Sequence, residues 1–205
     1  MKPIHKIKRG KYTLKVYHDD NPESPREWGC LDKMICFHGR YNLGDKHEYT
    51  SNDFEGWDDM FNQLTEEYKP AAILQLYLYD HSGISISCQS FVGRAQHAEW
   101  DSGRIGFILI STKDFLSNWG KGATEMTPEL TEQATNFLKG QVETYDQYLQ
   151  GDVYGFRLME KIDGKKEEID SCWGFYGDDY KTNGILEHLP NDFETQLDEK
   201  LVSVS

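Results

Sequence analysis

The chain has 205 residues, enough for one domain with a sizeable core. Hydrophobic residues make up only 38%, but aromatics reach 13%, and their large buried area argues against a disordered chain. A formal net charge of −13 repels phosphate and so disfavours direct nucleic-acid binding. It leaves two readings: a solubilising surface, or a face that occupies a basic groove on a partner.

The charge is uneven. Residues 1–17 carry Lys2, Lys6, Lys8, Arg9, Lys11 and Lys15 and no acid, whereas residues 140–205 carry 15 acidic groups against 6 basic ones. The negative field is therefore expected to concentrate in the C-terminal third. Four cysteines, Cys30, Cys36, Cys88 and Cys172, form no Cys-x-x-Cys pair. No apolar run has signal-peptide or membrane-spanning length. The expectation is a cytoplasmic protein with reduced thiols and no membrane contact.

In chain order, KYTLKVYH (11–18) alternates like a strand, and DDNPESPREWG is a polar, proline-containing loop. KMICFH (33–38) is a short buried strand followed by the turn RYNLGD. From Ser51 the period changes: Phe54, Trp57, Met60, Phe61, Leu64 and Tyr68 mark an amphipathic helix, capped by Ser51 or Asn52 and ended by Pro70. AAILQLYLY (71–79), DHSG and ISISCQSF (84–91) read as a hairpin. RIGFILIS (104–111) is apolar almost throughout, as expected of a central strand buried on both faces. STKDFLSNW is a short helix.

The clearest helix starts at the N-cap Thr127, with Pro128 and Glu129 in its first turn. Leu130, Ala134, Phe137, Leu138, Val142, Tyr145, Tyr148 and Leu149 form its apolar face, and Gly151 closes it. VYGFRLME (153–160) and EEIDSCWGFYG (167–177) form a second hairpin. Together these elements predict an α+β fold: a mostly antiparallel sheet with one long and one or two shorter helices packed on it, in a single domain over 1–205. Residues 178–205 read as an acidic peripheral segment with a short helix near 190–199. There is no βαβ alternation and no glycine-rich phosphate loop, which disfavours a doubly wound nucleotide-binding fold.

Chemistry-bearing residues cluster in CFHGRYNLGDKH (36–47), YDHSG (79–83) and EWDSG (99–103). If one sheet end gathers these loops, His38, His47, Asp80, His81 and Asp101 converge. Imidazole and carboxylate together suit one divalent metal, zinc or manganese. Against that stands the ordinary role of Asp, Ser and Gly in turns. Asp101-Ser102 lacks the Gly-x-Ser-x-Gly elbow of a serine hydrolase. Cys172, beside Trp173 and among Asp170, Asp178 and Asp179, reads as a structural thiol.

DNPESPREW, FHGRYNLGDKH, LYLYDHSGISIS, EWDSGRIGFI, YDQYLQGDVYGF and DSCWGFYG together give the chain a likeness over residues 20–177. It resembles a family of accessory proteins of bacteriophages, plasmids and other mobile elements, commonly of low-GC Gram-positive hosts. The resemblance implies a setting rather than an activity. The loop FVGRAQHAEWDSG is longer here than in that family, so His97 inherits no role from it. Accessory proteins of this kind often counter host defence, as anti-CRISPR and antirestriction inhibitors do.

The leading expectation is therefore a non-enzymatic inhibitor that binds a host defence protein such as a CRISPR effector nuclease. It would present an acidic, DNA-mimicking face built from Asp178, Asp179, Glu187, Asp192 and Glu194, with any metal structural. The alternative is a metal-dependent hydrolase acting on a nucleotide or nucleic acid. There His38, His47, Asp80, His81 and Asp101 would leave a coordination position open to water, and Arg40, Arg94 and Arg104 would attract the substrate. A structural or regulatory role without a host partner is the third reading.

Overall fold

The computed structural model describes residues 2–190 and Phe193. In chain order it contains β1 (His5–Arg9), β2 (Tyr12–His18), β3 (Lys33–Cys36), α1 (Trp57–Tyr68), β4 (Pro70–Asp80), β5 (Ile84–Ser87), α2 (Ala98–Asp101), β6 (Ser102–Ser111), α3 (Thr112–Trp119), α4 (Pro128–Gln150), β7 (Val153–Ile162) and β8 (Lys165–Tyr176). The architecture is α+β with two four-stranded antiparallel sheets. No helix among the described residues is long and apolar enough to cross a membrane.

The chain divides into two compact units. One is built from residues 1–23 and 150–205, the other from Ser24–Leu149 inserted between them. In the outer unit the strand order is β1-β2-β7-β8. Alternation along β2 and β7 puts Leu14, Val16, Tyr154, Phe156 and Leu158 on one face. Tyr180, Ile185, Leu189 and Phe193 cover that face, so the segment read as peripheral supplies four buried side chains to this core. Burying each such side chain contributes roughly 1.5–3 kcal/mol. The lysine-rich N-terminus is a strand: His5–Arg9 pairs with Tyr12–Val16 through a two-residue turn. The described residues do not reach the helix expected near 190–199.

In the inserted unit the order is β3-β6-β4-β5. Central β6 is buried over Ile105–Ile110, as its continuous apolar run requires. On one face Ile35, Phe107 and Leu109 meet Met60 and Leu64 of α1. On the other, Met34, Leu76, Leu78, Ile108 and Ile110 meet Phe115 of α3 and the Ala134, Leu138, Val142 and Tyr145 stripe of α4. β4 and β6 shift register at Leu76/Tyr77, and on the other side of β6 Gly106 lets β3 approach: a Cβ there would stand 1.9 Å from the Ile35 carbonyl oxygen.

The helix caps follow the sequence with one exception. Thr127 Oγ1 accepts from Leu130 N at the start of α4, and Ser111 Oγ accepts from Asp114 N at the start of α3. α1 starts at Trp57 rather than at Ser51, with Gly56 as its N-cap. Ser51–Asp53 is a separate 3-10 turn whose Asp53 carboxylate accepts from Thr50 N at 2.6 Å. Its local bonds close the turn, and Phe54 leaves it extended to pack beside α1.

Candidate functional site

Residues 36–47 are held by a buried ionic network that begins at Arg26, nineteen positions before Asp45. Asp45 accepts from Nε and Nη2 of Arg26, both at 2.8 Å, and from Met34 N at 2.7 Å. Arg26 Nη1 donates to Asp32 at 2.8 Å, and both of those side chains are almost wholly buried. Burial opposes the guanidinium charge, but the bonds to Asp45 and the field of the two carboxylates win and raise its pKa. Gly44, at φ +71°, donates its N–H to the Tyr145 hydroxyl at 3.1 Å. Only glycine fits there, because a Cβ would lie 2.4 Å from Met34 O.

Both histidines of this stretch serve the turn. His38 Nδ1 accepts from the backbone N–H groups of Arg40 and Tyr41 at 3.3 Å, and its ring stacks on Tyr41 at 5.0 Å. His47 Nε2 lies 3.2 Å from Cys36 O, and its ring packs against Phe37 and Tyr49. Tyr41 packs on the α4 side of the sheet and Phe37 and Tyr49 on the α1 side, so the two imidazoles face different layers.

The same separation governs the β4–β5 tip. Successive strand residues point to opposite faces. Asp80 turns to the α4 side, where Arg40 forms an ion pair with it and the Tyr41 hydroxyl donates at 3.3 Å. His81 turns the other way with Tyr79, stacked at 5.9 Å, and its Nδ1 meets Asp101 Oδ2 at 2.8 Å. Tyr79 also stacks on Phe91 at 5.4 Å and donates its hydroxyl to Gln96 O at 2.8 Å, which draws the 91–101 loop over this face. His97 then comes to 5.9 Å from His81, ring to ring.

The sheet thus brings the three loops to one end, as expected, but distributes His38, His47, Asp80, His81 and Asp101 over both faces. It pairs each carboxylate with its own cation or imidazole. Among the described residues no group of three or more His, Cys, Asp or Glu side chains is arranged to hold a metal ion. The structure shows two separate pairs, Arg40–Asp80 and His81–Asp101, with His38 and His47 bonded within their own turn. Strand alternation, legible in YDHSG, is the signal that separates them.

Of the acidic residues assigned to a partner face, Asp178, Asp179 and Glu187 are exposed, while Asp192 and Glu194 lie outside the described residues. Asp179 turns back on its own loop, accepting from Lys181 N and Thr182 Oγ1 at 3.1 Å. A denser acidic surface lies elsewhere. Residues 48–68 carry Glu48, Asp53, Glu55, Asp58, Asp59, Glu66 and Glu67 with no lysine or arginine, and all but Asp59 are exposed. That run is visible in the sequence, where the same residues also read as the polar side of an amphipathic helix and so draw no notice. At the helix start a cleft of about 730 Å³ opens between Glu55, Trp57, Asp58, Asp59, Tyr77 and Arg104.

Comparison with family models, curated proteins and solved structures gives no match to this chain.

Proposed function

We propose that the chain is a binding protein of a mobile element that counters a host defence nuclease by occupying its nucleic-acid groove. The observation that carries this reading is the acidic run of residues 48–68, in which Glu48, Asp53, Glu55, Asp58, Glu66 and Glu67 are exposed and no lysine or arginine intervenes. Asp58/Asp59 and Glu66/Glu67 stand eight residues apart on α1, about 12 Å along its axis at 1.5 Å per residue. That is close to the roughly 12 Å width of a DNA major groove, so exposed Asp58 at one end and Glu66 and Glu67 at the other stand in for phosphates on either side of it. A lysine- and arginine-lined groove attracts such a surface at long range and loses that attraction as salt screens it. Exposed Phe61 adds apolar contact between the acidic pairs, and half-buried Trp57 lies just before the first of them. The resemblance to mobile-element accessory proteins supplies the setting, and Asp178 and Glu187 of the other unit are further exposed acids.

The test is displacement of a fluorescent DNA duplex from purified CRISPR effector and restriction nucleases, followed by anisotropy. The protein is expected to displace duplex from at least one of them, less well as salt rises. Failure to displace duplex from any member of the panel at low salt would overturn the reading.

A further inference from the structure

The binding reading leaves the His81 face of the β4–β5 tip unused, and that face carries the parts of an acid–base site. Asp101 Oδ2 at 2.8 Å from Nδ1 fixes the His81 tautomer with its proton on Nδ1. The lone pair is then on Nε2, which takes no hydrogen bond among the described residues, on a side chain 42% exposed. A carboxylate holding one imidazole nitrogen so that the other acts as a base is the arrangement of acid–base catalysis. His97 supplies a second imidazole. It sits at φ +57°, an uncommon conformation for a side-chain-bearing residue, and its carbonyl anchors the N–H groups of Trp100 and Asp101 at 3.0 Å. The ring centroids are 5.9 Å apart, so one substrate group lying beside the two rings is within reach of both imidazoles.

The surroundings suit a nucleic-acid strand. Tyr79 lies stacked beneath His81, and Trp100, next to Asp101, is 87% exposed. An open aromatic face such as that of Trp100 holds an unpaired base at roughly 1–3 kcal/mol, whereas Tyr79, stacked between His81 and Phe91, serves to hold the His81 ring. Ser102 Oγ donates to Ala98 O at 2.6 Å and Cys36 is buried, so neither is free to attack. A substrate that brings its own nucleophile, as the ribose 2′-hydroxyl is, needs only the two imidazoles.

We propose that His81, oriented by Asp101, and His97 form an acid–base site that cleaves single-stranded RNA by transesterification. His81 Nε2 takes the proton from the 2′-hydroxyl and the O2′–P bond forms. The P–O5′ bond breaks as the His97 imidazolium protonates O5′. The products are a 2′,3′-cyclic phosphate and a 5′-hydroxyl end, and proton exchange with water resets both imidazoles. His81 and His97 are catalytic residues, and Asp101 is a positioning residue.

The test uses the full chain in excess EDTA with a fluorogenic DNA oligonucleotide containing one ribonucleotide. The expected result is cleavage with a cyclic phosphate product by mass spectrometry, and none of the all-deoxy or 2′-O-methyl control. His81→Gln and His97→Gln, with unchanged circular dichroism, are each expected to lower kcat by about 100-fold or more. Asp101→Asn should lower kcat and leave KM unchanged. An RNA left intact by the wild-type protein would overturn the proposal. So would His81→Gln and His97→Gln variants as fast as wild type, since the activity would then belong to a contaminant.

Discussion

Arg26 grips Asp45 at two points, Nε and Nη2 each 2.8 Å from a separate carboxylate oxygen. The third arm of the guanidinium reaches Asp32, whose side chain is fully buried. This planar fork joins the loop before β3 to the loop after it, and a lysine ammonium cannot reproduce it. Arg26→Met is expected to lower stability by about 3–5 kcal/mol, because it leaves the buried Asp32 carboxylate without its partner, and Asp45→Asn by less, because Asp32 still faces the guanidinium. Urea unfolding followed by tryptophan fluorescence measures it. A loss below about 1 kcal/mol for both would contradict the role given to this network.

Two glycines should respond in opposite directions to alanine. Gly106 faces the Ile35 backbone, where a Cβ would stand at 1.9 Å, and backbone cannot yield as a flexible side chain can. Gly106→Ala is expected to cost about 3 kcal/mol or to prevent folding. Gly140 lies in the middle of α4, exposed, and a methyl group added there would meet nothing within 4 Å. Gly140→Ala should stabilise by roughly 0.5–1 kcal/mol through helix propensity. Thermal unfolding of the two variants side by side checks both signs.

Stability of the outer unit should fall on acidification through the histidine range. Burial, and secondarily the charge of His18, lower the pKa of His5 below its ordinary 6.5. Its Nδ1 is buried without a partner, which also favours the neutral ring. Between the folded and unfolded pKa values the unfolded chain binds more protons, so stability rises with pH there. The contribution is full above about pH 7 and is lost as pH falls below the unfolded value of 6.5 toward the lower folded one. His5→Phe should flatten the stability profile between about pH 7 and pH 5 relative to wild type. An unchanged slope would assign the acid sensitivity to other groups.

The thiols should differ in reactivity. Burial pushes Cys36 up to about 12 and Cys88 up to about 11. At about pH 8, roughly one in a thousand or fewer of either is thiolate. A chromogenic disulfide reagent is expected to leave Cys36 and Cys88 unmodified on the minute timescale in the native protein and to label all four cysteines in guanidinium. Rapid native labelling of Cys36 would mean that the β3 end opens readily.

Elements whose cause is local are legible in the sequence. RIGFILIS announces a doubly buried strand because its continuous apolar run, Ile105–Ile110, can only be covered from both sides. Thr127-Pro128-Glu129 announces a helix start because the cap, the ring and the charge act within one turn. The Arg26–Asp45 grip is not legible, because no periodicity links positions nineteen residues apart. Nor is β1: its lysines hide a strand that only pairing with β2 defines. Ile185, Leu189 and Phe193 are masked by the acidic residues between them, although they cover a sheet face. At the site, the gathering of three loops at one sheet end follows from the hairpin pattern. The division of Asp80 from His81 follows from strand alternation and is written in the same five letters, YDHSG.

The central claim is that the acidic surface around α1 binds a basic groove. Its most direct measurement is the dissociation constant, by isothermal titration calorimetry, of a displaced nuclease for the wild-type protein and for the variant Asp58→Lys, Asp59→Lys, Glu66→Lys, Glu67→Lys. A variant Glu167→Lys, Asp170→Lys, Asp178→Lys, Glu187→Lys, all exposed positions of the other unit, makes the same change in net charge and serves as the comparison for charge alone. The α1 variant is expected to bind at least about tenfold more weakly, a loss of about 1.4 kcal/mol or more, with the comparison variant much closer to wild type. Equal affinity of the α1 variant and wild type, with the α1 variant still folded, would contradict the account.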